Sequence, residues 1–139
     1  MSYATQQDLV DRFGEQELIQ LTDRNNNFVI DATVVARALA DADAEIDGYL
    51  AGRYTLPLAS VPVVLVRLAA DMARYFLYDD RATEQVKARY DSAVRFLRSV
   101  ASGDVSLGLS SANQPAPQSG GVQVAAGDRV FSAGSLSDY

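Results

Sequence analysis

Apolar residues recur at spacings of three and four over most of the first hundred positions, the period of helix faces. Val35, Leu39, Ala42, Ile46 and Tyr49 or Leu50 form one stripe. Asp31 stands just ahead, with a side-chain oxygen for the unpaired amides of a first turn, so a long helix is predicted from Asp31 to about Leu50. Leu65, Leu68, Ala69, Met72, Ala73, Phe76 and Leu77 make a wider face after Pro62, whose missing amide is harmless in a first turn. That width marks a central helix. Asp79-Asp80-Arg81-Ala82 then breaks the pattern, Thr83 caps, and Val86, Tyr90, Ala93, Val94, Leu97 and Val100 continue to a stop at Gly103. Upstream, Thr5 caps a short helix through Phe13 that Gly14 closes, Glu15 to Leu21 forms a second, and Asp23 to Asn27 is a loop by composition. No stretch before residue 104 alternates with period two. The expected fold is all-α: a small bundle of two short and three longer helices, with an extended C-terminal arm that can form short strands with neighbours.

Between Ile46 and Leu58 a helical pattern meets a fixed, aromatic-rich break. Gly48 and Gly52 are expected to loosen the helix end, and Pro57 to bar its continuation. Tyr49, Arg53, Tyr54, Leu56, Pro57 and Leu58 are the candidate interaction residues of this corner, because tyrosine and arginine are common interface anchors and the apolar residues suit a core or a neighbour's groove. Tyr49 is the expected buried aromatic.

Composition changes at Ser110, where Ser, Ala, Asn, Gln, Pro and Gly take over through Gly121. This divides the chain into a helical domain, 1–109, and a polar linker with an interaction arm, 110–139. Val122, Val124, Val130, Phe131, Leu136 and Tyr139 are the arm's candidate anchors, and Val122 to Val124 and Arg129 to Phe131 its candidate strands. The chain has no cysteine and no histidine, which excludes disulfides, thiol nucleophiles, zinc held by sulfur or imidazole, and a serine triad with its usual base. The first residues carry no basic, apolar leader and no apolar run is long enough to span a bilayer, so an unexported chain without membrane contact is expected.

The net charge is −6 and unevenly placed: residues 1–66 hold ten acids against four arginines, residues 67–100 seven bases against five acids. Asp43, Glu45, Asp47 and Gly48 imitate the start of a calcium loop, but Tyr54 stands where a bidentate glutamate belongs and the surroundings are helical. The simpler reading is an acidic helix face that is solvated or meets a basic neighbour. Arg67, Arg74 and Arg81 recur every seven residues, yet Asp71 is within reach of Arg67 and Arg74, and Lys87, Asp91 and Arg95 make a second ladder. These charges are expected to pair among themselves. Asp79 and Asp80 suit a turn better than acid or base work, and no catalytic residue, metal ligand or cofactor site is expected.

Several ordered pieces bear on function: Tyr3-Ala4-Thr5, Asp8-Leu9, Phe13-Gly14, Glu17 through Asp23, Ala38 through Ala42 before Glu45-Ile46-Asp47, Ala73-Arg74-Tyr75, Leu77-Tyr78, Arg89-Tyr90 and Ser106-Leu107-Gly108. Taken together with the corner, this order and spacing resembles the Mu-like prophage head-completion family, covering residues 1–109, with Arg129 to Ser132 and Ser135-Leu136 similar to a family ending. The resemblance implies a structural virion protein, a head-tail connector adaptor assembled in the bacterial host cytoplasm. It also implies portal, tail or neck proteins as partners, and a ring with neighbouring copies, commonly twelve, through which DNA passes without specific binding. A tail-terminus or tail-tube-associated neck protein is the near alternative, and a small helical DNA-binding regulator the distant one. With no long heptad seam, the isolated chain is expected to associate weakly.

Overall fold

The computed structural model describes residues 2–109, and among them the regular structure is helical. The elements are α1 (Gln6–Phe13), α2 (Glu15–Thr22), α3 (Ala32–Leu50), α4 (Val63–Tyr78) and α5 (Glu84–Ser102), with a short 3-10 turn, Asp79–Arg81, between the last two helices. The arm residues Val122, Val124, Val130, Phe131, Leu136 and Tyr139 lie outside the described residues.

Local chemistry sets the helix ends. The Thr5 hydroxyl accepts the Asp8 amide at 3.2 Å while the Asp8 carboxylate accepts the Thr5 amide at 2.8 Å, a reciprocal cap on α1. Gly14, at φ 93°, closes α1 and opens α2, a reversal that a side chain would strain. Asp31 accepts the amides of Thr33 and Val34 ahead of α3, and Thr83 accepts that of Val86 ahead of α5. Left-handed Gly103 ends α5.

α3, α4 and α5 run up, down and up. Val34 and Ala38 of α3 lie beside Phe76 and Leu77 of α4, and Tyr49 lies beside Val94 and Arg98 of α5. The shared core takes Leu39, Ala42, Ile46 and Leu50 from α3, and Ala93, Leu97 and Val100 from α5. From α4 it takes Leu65, Leu68, Ala69, Met72 and Ala73. Helices α1 and α2 cover the remaining side of α4 with Leu9 and Leu18. α4 is therefore the central helix, as its wide apolar face predicts.

The N-terminal segment is tied to α3 by a contact that periodicity cannot show. Tyr3 is buried; its amide donates to Asp43 Oδ1 at 2.9 Å and its hydroxyl donates to Asp47 Oδ1. Burial, then the Asp47 carboxylate, pushes that hydroxyl far above the usual tyrosine range. Glu45, on the same helix, accepts the Tyr90 hydroxyl at 3.0 Å, and Tyr90 is pushed up to about 12 by burial and by Glu45. The acidic face of α3 thus spends much of its capacity on the chain's own donors. This corrects the expectation of a purely solvated face, while Asp41 forms no ion pair among the described residues.

The corner also differs from expectation. Gly48 lies inside α3, and neither Gly48 nor Gly52 adopts a positive φ or is crowded, so glycine's freedom does not end the helix. The chain instead tightens, with the amides of Arg53 and Tyr54 both donating to the Leu50 carbonyl at 2.9 Å, before the cis Leu56-Pro57 bond. Tyr54 is the buried aromatic, and Tyr49 is half-buried at the core's edge. Tyr54→Ala is expected to cost about 3–5 kcal/mol, in the range for truncating a buried aromatic. Tyr49→Ala should cost distinctly less. Urea melts of the two variants decide the order, and equal midpoints would contradict it.

Candidate interaction surfaces

The structure gathers the corner residues into one place but turns most of them inward. Tyr54 and Leu58 belong to the core, Tyr49 and Leu56 pack partly against it, and Arg53 and Pro57 are exposed. The Tyr54 hydroxyl accepts the Leu107 amide at 3.1 Å. The Arg53 guanidinium lies over Gly103, so close that a Cβ there would fall 2.9 Å from Nη1. A cation beside the C-terminal carbonyls of α5 is favourable in its own right. Together these contacts clasp the segment leaving α5.

A second surface escaped sequence reasoning. Between α2 and α3 the Asp23 carboxylate accepts the amides of Asn25, Asn27 and Phe28 at 3.2, 3.0 and 2.7 Å. Behind it, buried Thr22 donates its hydroxyl to the Leu18 carbonyl and accepts the Asp31 amide, tying both ends of the loop. Asn26 and Phe28 take positive φ, 57° and 60°. For an aromatic residue that conformation is uncommon and persists where surroundings over-determine it. The result is an outward pair, Phe28 at 79% and Val29 at 57% exposure, among the most exposed large apolar side chains described. The signal available in sequence was an apolar pair directly after the polar loop and off any helical stripe.

The arginines are arranged differently from the expected ladder. Arg74 leaves Asp71 and makes a two-point contact with Glu17, at 2.6 and 3.1 Å, with its guanidinium 4.3 Å over the Phe13 ring. A forked donor gains more from a paired carboxylate across the fold than from a single long contact on its own helix. Asp71 instead faces Arg67 at 3.7 Å and Arg89 at 3.8 Å. Burial pushes its carboxyl up, while Arg89, Arg67 and Arg12 act the other way. Arg12, Phe13, Arg67, Asp71 and Arg89 line a groove of about 450 Å³. Lys87 does pair with Asp91, at 2.8 Å. A separate cleft of about 630 Å³ is lined by Asp41, Glu45, Tyr75, Phe76, Asp79 and Asp80. Among the described residues no group of three or more carboxylates gathers as a metal site, and no helix is long and apolar enough to cross a membrane.

Against this geometry stand the similarities to known proteins. Residues 3–126 match the family model described as Bacteriophage Mu, Gp36. The Mu-like prophage FluMu protein gp36 of Haemophilus influenzae is 40% identical over 129 residues, covering 93% of this chain and 92% of that protein. Gene product J of Escherichia phage Mu is 40% identical over 134 residues, covering 95% of each.

The Asp23 loop yields a pH prediction. The amide of Asn27, ahead of those of Phe28 and Asn25, holds the Asp23 carboxyl below its ordinary range. A depressed acid contributes order that is complete above the usual aspartate value of about 3.9 and is lost as pH falls through the lower folded value. The backbone amide resonances of Asn27 and Phe28 should therefore titrate with a midpoint below about 3.9. Asp23→Asn should abolish that step, and a midpoint at or above the ordinary value would refute the arrangement.

Proposed function

The chain belongs to the Bacteriophage Mu Gp36 family, and from that membership we propose that this Mu-like phage protein is a structural head-tail connector adaptor. In this reading it binds the portal, joins neighbouring copies in a ring and meets tail or neck proteins. The observation that carries the reading is the Phe28-Val29 knob. A rigidly braced aromatic held in solvent exposes apolar surface at a cost, and docking into another protein removes that cost.

Charge supports the same reading over a DNA-binding regulator. A recognition helix needs uncompensated cations or amides at its start, whereas the first turns of α1, α2 and α5 carry acids, Asp8, Glu15 with Glu17, and Glu84, and the Gln7 amide of α1 is taken up by Asp11. A net charge of −6 suits a passage in which DNA slides without being held. The role needs no catalysis, cofactor or metal, and it places the protein in the virion neck after assembly in the host cytoplasm.

Phe28→Ser with Val29→Ser should leave helical circular dichroism and the melt nearly unchanged but strongly reduce incorporation into particles and co-purification with the portal. Wild-type incorporation of this variant would remove the knob from the interface. Deleting residues 110–139 should likewise spare folding and prevent stable incorporation. Unfolding of the shortened chain, or infectious particles made with it, would assign the arm another role.

A further inference from the structure

We propose that the arginine-lined groove around Asp71 receives carboxylates from the acidic cleft of a second copy of this chain. Three guanidiniums, of Arg12, Arg67 and Arg89, face one buried carboxylate there. Arg67 and Arg89 reach Asp71 only at 3.7 and 3.8 Å, beyond hydrogen-bond length, and each keeps about half its side chain exposed. Arg12 forms no ion pair among the described residues. A guanidinium presents five N–H donors in a fork that fits a carboxylate two at a time. Most of these donors have no acceptor among the described residues.

The same chain carries the complementary patch. Asp41, Glu45, Asp79 and Asp80 line one cleft, and Asp41, Asp79 and Asp80 form no ion pair among the described residues, although Arg24 and Arg37 border Asp41 and Asp79. Arg67 and Phe76, one in each wall, lie nine residues apart on α4. Groove and cleft thus take different residues of α4, Arg67 and Asp71 for the one and Tyr75 and Phe76 for the other, and are separate patches. Two different, mutually attractive patches on one chain give a heterologous contact, the kind that closes into a ring when its rotation allows. A short groove with three arginines, in a chain of charge −6, holds too few cations for sequence-independent phosphate binding. It matches a carboxylate-bearing surface of similar extent. The inference rests on the ring reading above and deepens it by naming the surfaces.

Sedimentation velocity of the full chain tests it through charge reversal. The groove variant is Arg12→Glu with Arg67→Glu, leaving Arg89 to face Asp71, and the cleft variant is Asp41→Arg with Asp80→Arg. Wild type should associate weakly at about 0.01 M salt and at least about tenfold more weakly at 1 M, as the screening length falls from ~30 Å to ~3 Å. Each variant alone should stay monomeric, and their equimolar mixture should associate again, because the reversed groove now suits the reversed cleft. Recovery in the mixture also reports that both variants fold. Should a reversal unfold the chain, Arg12→Gln with Arg67→Gln should weaken association about tenfold. The proposal is overturned by a wild type that stays monomeric at low salt, by variants that associate like wild type, or by folded variants that fail to recover when mixed. It is equally overturned if the groove variant loses binding to a short DNA duplex while its self-association is unchanged. Incorporation into particles is a separate readout: a chain that fails in solution yet enters virions loses this interface and keeps the connector role.

Discussion

Burial of α4 on nearly all sides is the constraint from which the rest of the architecture follows. Eight of its sixteen residues are buried, among them Ala69, Ala70 and Ala73, which let neighbouring backbones come close. Two long helices cannot enclose a third, so α1 and α2 must be held across its remaining side. Their hold comes from one end through Tyr3 on α3 and from the middle through Arg74 and Glu17. Enclosure also explains Asp71. A carboxylate confined there is tolerable only with cations nearby, and Arg67 and Arg89 supply them from two helices.

Those cations satisfy Asp71 from a distance, and the consequence extends outward. Three guanidiniums against one carboxylate leave positive charge at the groove mouth, while Glu45 is occupied by Tyr90, and Asp41, Asp79 and Asp80 form no ion pair among the described residues. The groove around Asp71 and the cleft around Asp80 thus carry opposite charge.

The helices were legible in sequence because their causes are local. Thr5, Asp31, Thr83 and Gly103 act within one turn of themselves, and the stripes on α3, α4 and α5 depend only on helical period. Tyr49 departs from the expected burial because the stripe ends ambiguously: Leu50, four residues after Ile46, stays on the buried line and Tyr49 falls to its flank. Tyr3 reaching Asp43 and Arg74 choosing Glu17 over Asp71 are contacts between positions 40 and 57 residues apart, which no spacing rule connects. The corner is legible as a corner, and of the two roles its sequence allows, core or interface, Tyr54 and Leu58 take the core. Family resemblance was legible from ordered short pieces, and the Phe28 loop was not, since its geometry depends on three amides converging on one carboxylate.

That convergence bears on how fast a partner could be engaged. A loop that must order upon contact loses many encounters, and its entropic cost is subtracted from the affinity. Here the Asp23 carboxylate and the Thr22 hydroxyl set the backbone beforehand, so in the docking proposed above Phe28 would meet a partner in a fixed pose. Such an association would be a rigid-body encounter, with a rate set by diffusion and orientation, about 10⁵–10⁷ M⁻¹s⁻¹. Lifetime, not speed of docking, becomes the quantity that substitutions at the aromatic tip would change.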